Sequence, residues 1–289
     1  MKEIKFYAAI ADIHGEFYKL NRALTDVKKY FGEKNIKREN WQIVFLGDYI
    51  DRGVYPTEVL ELIKKETEAG AITLIGNHDY FLIGTGAGDP REALDWDVNN
   101  GMTTCHQLFG SNEPVLDLTQ MSPLKEYMSA RKYSSELIKA KSAYTTWCYK
   151  DVIRNSWQYK FLSENGRIDY QTKHIFFSHA PLFKVKEPLS FREHLWGQGD
   201  AYYEKPDTIF KVPNDKMFAV HGHFHRLWEG ETFPRVHSYN HGGIRKTVVL
   251  ADSGCGCSVN TGKFEGLRGE LHPVILSENE FGARIETIL

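Results

Sequence analysis

Cysteine is scarce in this chain. Four in 289 residues cannot staple a fold, and they predict a reducing compartment, the cytoplasm. Long apolar runs are absent too: the longest, Phe6 to Ala11, has six residues, against the ~20 that a membrane span requires. Lys2 and Lys5 flank its start, but it stops at Asp12, so no secretory leader is expected and no membrane partner. Neither charge is in excess. Thirty-six Lys and Arg stand against 38 Asp and Glu, a net −2, which removes any general attraction to nucleic acid or anionic lipid. There is no repeat, low-complexity tract or Pro/Ser-rich linker, so residues 1–289 are expected to form one domain. What is present is ordinary for a globular protein: 42% hydrophobic and 26% charged residues.

Short apolar runs of strand length recur. Phe6 to Ala11, Ile43 to Leu46, Ala71 to Ile75, His174 to Phe177, Met217 to Val220 and Thr247 to Ala251 each read as buried strands. Val274 to Leu276 and Ala283 to Ile288 read as additional edge strands. Between the first two runs, Phe17, Leu20, Leu24, Val27 and Phe31 recur at spacings of 3, 4, 3 and 4, one face of an amphipathic helix. A second helix is predicted from an N-cap at Thr57, burying Val59, Leu60 and Ile63. Strands alternating with helices predict an α/β fold. Gly84 to Gly88 match neither glycine-rich nucleotide fingerprint and read as a flexible connection. A helical cap or insert is expected over approximately 111–170, with Ser122 and Pro123 opening one of its helices.

The chemistry collects at the ends of the predicted strands, where α/β sheets form their ligand crevices. The first strand runs into Asp12-Ile13-His14-Gly15 and the second into Gly47-Asp48-Tyr49-Ile50-Asp51-Arg52-Gly53. The third is followed by Gly76-Asn77-His78-Asp79, the fourth by Ser178-His179-Ala180 and the fifth by His221-Gly222-His223-Phe224-His225. Each fragment alone is weak. Five together define a donor set of two Asp, one Asn and four His without a thiolate, which suits Mn, Fe or Zn. Seven donors exceed the needs of one ion, and an Asp shared between two ions about 3.5 to 4 Å apart is a device for phosphoester cleavage.

This order of motifs resembles the calcineurin-like metallophosphoesterases, and G-D-Y-I-D-R-G resembles their serine/threonine protein phosphatase branch in its bacterial and phage forms. Trp96 to Phe109, with Asn99-Asn100-Gly101-Met102-Thr103, resembles the W-x-x-N-G-G-x-x-T segment of bacterial members; Leu195-Trp196 and Ala251-Asp252-Ser253-Gly254-Cys255 resemble two later segments. The resemblance implies a four-layer α/β fold, a mixed β-sandwich flanked by helices with two divalent ions at one edge, Mn²⁺ above all, with Fe or Zn as substitutes. It implies that Asp12, His14 and His225 hold one ion, Asn77, His179 and His223 the other, and that Asp48 bridges them. A metal-bridging hydroxide would attack phosphorus, His78 would protonate the leaving oxygen, Asp51 would orient His78, and Arg52 would grip the phosphate. His78 and Arg52 would thus touch substrate. The expected reaction is phosphomonoester hydrolysis on phosphorylated proteins. The alternatives are symmetrical cleavage of diadenosine tetraphosphate or another small phosphoester or nucleotide, a phosphodiesterase, and a catalytically inactive binding protein.

Two departures from the protein phosphatase branch stand out: Asp79 where those enzymes carry Glu, and His225 where they lack a second His. Arg192 is a candidate for a further phosphate-holding arginine. His221, two residues before His223, reads as an outer partner of the metal motif, His241 as part of a turn, and Asp252 as structural or an outer partner of the site instead of a direct ligand. Cys255-Gly256-Cys257 lacks the spacing of a redox pair and reads as buried or turn cysteines.

Overall fold

The computed structural model describes residues 4–110, 122–130, 145–182, 191–197, 211–259 and 263–289. Two five-stranded mixed sheets stack face to face. In the first, β1 (Lys5–Ile10), β2 (Trp41–Phe45) and β3 (Ile72–Thr73) run parallel, while β9 (Val274–Asn279) and β10 (Gly282–Ile288) complete the order β10-β9-β1-β2-β3. In the second, β4 (Asp169–Gln171), β5 (Ile175–Ser178), β6 (Phe218–His221), β7 (Arg235–His241) and β8 (Ile244–Leu250) lie in the order β4-β5-β6-β8-β7, with β5, β6 and β8 parallel.

Side chains alternate across a strand, so β1 serves two cores. Tyr7, Ala9 and Ala11 face the inter-sheet layer with Val44, Phe177, Val220, Val249 and Leu276. Ala8 and Ile10 point outward and pack under Leu20, Leu24, Val27 and Phe31 of α1 (Phe17–Glu33) and Val59, Leu60 and Ile63 of α2 (Pro56–Glu68). Each of the Val, Leu, Ile and Phe side chains among them, once buried, contributes about 1.5–3 kcal/mol. The outer face of the second sheet is covered by Leu182, Val212 and Phe224. This is the mixed α/β sandwich the motifs imply.

Several local expectations change. Gly84 to Gly88 are no flexible connection. Gly84 and Gly86 lie within α3 (Asn77–Ala87), where an added Cβ would stand 2.5 Å from Glu92 Cγ and 2.7 Å from Tyr159 Cδ2; Gly88 closes the helix at φ 89°. The glycines let α3 pack tightly beneath its neighbours. The second helix opens at Pro56, not after Thr57, because proline's fixed φ suits the first helical position. β9 is an interior strand between β1 and β10, not an edge. β4 and β7 were invisible as apolar runs because most of their residues are at least partly exposed. His241 ends β7, and Gly242-Gly243, both at positive φ, make the two-residue hairpin turn that pairs it with Ile244.

Of the expected insert over 111–170, the described parts are α6 (Ser122–Ala130), α7 (Thr145–Cys148), α8 (Lys150–Asn155) and α9 (Trp157–Asn165). Residues 169–170 belong to β4 instead, and 111–121 and 131–144 lie outside the described residues.

Candidate metal centre

The motif residues emerge from the carboxyl ends of parallel strands in both sheets, and backbone bonds lash their loops together. Asp12 N donates to Gly47 O at 3.2 Å, His14 N to Asp48 O at 2.9 Å, and Gly222 N to His179 O at 2.8 Å. The loops are tightly bent. Asp12, His14, Asp48, Asp51, Arg52 and His223 all adopt positive φ, between 46° and 68°; among the described residues only Asn35 and Asn100 join them outside glycine. Such conformations cost about 1–3 kcal/mol each and persist where surrounding structure enforces them, as it does here. Gly76 is required by close approach: a Cβ there would lie 2.1 Å from Asp48 Oδ1.

The side chains converge. Asp48 Oδ2 lies 3.5 Å from His14 Nε2 and 3.5 Å from His179 Nε2. His179 Nε2 is 3.0 Å from Asn77 Oδ1, and its Nδ1 faces Leu46 O at 2.8 Å. Two sets, His14 with Asp48 and His78, and Asp48 with His179 and His223, bring potential ligand atoms within 4.8 Å of one another. Asp48 belongs to both. Asp12 and His225 fall in neither set. Asp12 is tied in through His223 N, which donates to both its carboxylate oxygens at 3.0 and 2.9 Å, and His225 Nε2 lies 3.5 Å from Cys257 Sγ.

The electrostatics favour a cation. Burial, then the charges of Asp252 and Asp48, push the Asp12 carboxyl well above its ordinary range. Burial opposes ionisation of Asp48 as well, but the imidazoles of His179, His78, His14 and His223 outweigh it and hold its carboxyl low. Burial and Arg52 push His14 well down, and burial and His179 push His223 down to about 3, so both rings are neutral and free to donate a lone pair. His14 Nδ1 is engaged by Ile50 O at 2.9 Å, whereas its Nε2 is buried with no hydrogen-bond partner among the described residues. An orphaned imidazole nitrogen beside a buried carboxylate is what a metal ligand looks like without its metal, and the oxygen and nitrogen donors fit the hard-to-borderline ions expected.

The sequence profile of the calcineurin-like phosphoesterases matches residues 7–227, more than half of the chain. The chain belongs to this family. It is therefore a metal-dependent phosphoester hydrolase. No curated protein matches it significantly in sequence. Among solved structures, one provisionally described as a diadenosine tetraphosphatase is 12% identical, with a TM-score of 0.46 over 99% of this chain and 92% of that one. A protein serine/threonine phosphatase from Saccharomyces cerevisiae is 12% identical, with a TM-score of 0.40 over 98% and 79%. A cold-active protein-tyrosine phosphatase from a psychrophilic Shewanella is 17% identical, with a TM-score of 0.35 over 98% and 80%. These likenesses carry no substrate assignment.

Around the metal cluster of this calcineurin-like phosphoesterase sit groups that sequence reasoning placed differently or passed over. Arg52 is exposed; its Nη1 donates to Cys257 Sγ at 3.0 Å and its Nη2 lies 3.5 Å from His78 Nε2. Cys257, read as a turn cysteine, thus lies between Arg52 and His225, a proximity no spacing rule revealed. Arg192 is engaged elsewhere, bonded to Glu92 Oε1 at 2.9 Å and stacked 4.1 Å above the Trp196 ring. Asp79 accepts from the backbone N–H of Asp48, Tyr49 and Gly76 at 2.7 to 2.9 Å, clasping the second and third motifs together. Its shorter side chain does this from the first turn of α3. His221 is buried with Nδ1 against Ser178 Oγ at 2.9 Å, and Asp252 Oδ1 accepts from Gly254 N at 2.8 Å.

Proposed function

We propose that this protein is a two-metal phosphomonoesterase acting on phosphoserine or phosphothreonine in proteins. One observation carries the reading: a single oxygen, Asp48 Oδ2, stands equally far from His14 and His179, as a carboxylate shared by two ions would. Asp12, His14 and His225 would hold one divalent ion, Asn77, His179 and His223 the other, with Asp48 common to both; manganese is the first choice of metal. The ions, when bound, would supply an activated water nucleophile and neutralise the phosphate.

The remaining work falls to the protein's own side chains. Arg52, with its planar fork exposed at the mouth, would grip two phosphate oxygens and orient the ester. His78 Nδ1 donates to Asp51 Oδ2 at 2.6 Å, which fixes the ring's orientation and leaves Nε2 to carry the mobile proton toward the departing oxygen. G-D-Y-I-D-R-G supports the protein-phosphatase reading, whereas Asp79 in G-N-H-D supports symmetrical hydrolysis of diadenosine tetraphosphate. Assays with manganese and a phosphopeptide, a dinucleoside polyphosphate and a bis-aryl phosphate separate these. Rapid phosphate release from the phosphopeptide is expected. Turnover of the dinucleotide with an inert phosphopeptide would transfer the assignment to the nucleotide hydrolases.

A further inference from the structure

Asp51 is fully buried, and a carboxylate in that position must be satisfied by protein donors. Among the described residues it has three. His78 Nδ1 is one; Trp96 Nε1 is shared between both carboxylate oxygens at 3.0 Å; the Thr104 hydroxyl donates to Oδ1. The last two come from α4 (Pro90–Val98) and α5 (Gly101–Phe109), outside every motif that supplies the proposed metal ligands.

The intervening residues are shaped to bring these two donors together. Asn99 ends α4, its Nδ2 bonded to Asp95 O at 2.8 Å, and Asn100 turns the chain at φ 65°. That left-handed position explains Asn where the bacterial pattern has its first Gly, since Asn tolerates it best after glycine. At Gly101 a Cβ would lie 2.5 Å from Trp96 Cγ, so only glycine lets α5 begin against the indole. Thr104 follows three residues on, and Thr146 Oγ1 of α7, donating to Ala93 O at 2.7 Å, fastens α4 from behind.

We infer that Trp96 and Thr104 are positioning residues for proton delivery, acting through Asp51 on His78. The Thr104 hydroxyl occupies Oδ1, and the Trp96 indole N–H spans both oxygens beside the bond from His78 to Oδ2. Asp51 is thereby held in one orientation, with one acceptor position open to Nδ1. The inference rests on His78 being the proton donor to the leaving group. It assigns a task to a W-x-x-N-N-G-x-x-T segment that contributes nothing to the proposed metal or phosphate contacts.

The test compares manganese-loaded wild type with T104V, T104S, W96F and H78N on phenyl phosphate, whose leaving group needs a proton, and on p-nitrophenyl phosphate, whose leaving group needs one far less. We expect T104V to lower kcat on phenyl phosphate roughly 10- to 100-fold, as loss of an outer hydrogen-bond partner does. The loss on p-nitrophenyl phosphate should be several-fold smaller, with KM and manganese content unchanged. T104S restores the hydroxyl and should restore kcat, and W96F should repeat the T104V discrimination if it folds. If H78N discriminates between the substrates while T104V does not, the inference falls and His78 keeps its role. If H78N slows both substrates equally, proton donation by His78 falls and the inference with it.

Discussion

His14 Nε2 stops 3.5 Å short of Asp48 Oδ2 and has no hydrogen-bond partner among the described residues, though both groups are almost wholly buried. With Asp12 and Asp252 crowding the same space, the cluster is destabilising until a cation joins it. Manganese binding should therefore stabilise the fold, by about 2.7 kcal/mol at a hundred times its Kd. Thermal melts with and without a chelator check this: Tm should rise on the order of 5 °C on adding manganese. An unchanged Tm would mean that these side chains hold no ion.

Arg52 presents a two-pronged donor that lysine cannot reproduce. Arg52→Lys should raise KM for p-nitrophenyl phosphate roughly tenfold, the loss of one charge-assisted hydrogen bond, with a smaller change in kcat. Arg52→Ala should cost more in kcat/KM than Arg52→Lys, and both should keep their metal. Steady-state kinetics with metal analysis read all three quantities.

Glu92 gives the fold a pH dependence of its own. It is buried on α4 with Oε2 unpartnered among the described residues, and burial, against the pull of Arg192, pushes its carboxyl up to about 7 from 4.5. The folded state therefore binds a proton that the unfolded chain has lost. The associated stability is full below about pH 4.5 and disappears as pH rises through about 7. Glu92→Gln keeps an acceptor for Arg192 without the charge. Its Tm should exceed wild type by several degrees at pH 8 and match it at pH 5, in melts at the two pH values.

Much of this was legible in the chain because buried strands and the turns that follow them carry strong local signals. The apolar runs at β1, β2, β5, β6 and β8 and the 3-4 spacing of α1 come from burial, which the sequence must encode residue by residue. The motif residues cluster because they follow those strands directly. What escaped depends on contacts between distant segments. Gly84 and Gly86 read as flexible until Glu92 and Tyr159 are seen against them. β4 and β7 keep too much exposed surface to show a run. Trp96 and Thr104 were visible as a motif, but only the fold brings them to Asp51, 45 and 53 residues away.

If Asp48 joins two ions in one catalytic cluster, neither metal content nor turnover can survive without its carboxylate. The decisive measurement follows metal content and phosphate release together on wild type and Asp48→Asn, after loading with manganese and desalting. Wild type should carry about two manganese ions per chain, and Asp48→Asn should lose both, with its phosphate release reduced to background. Asp48→Asn retaining both ions and near-normal turnover would contradict this.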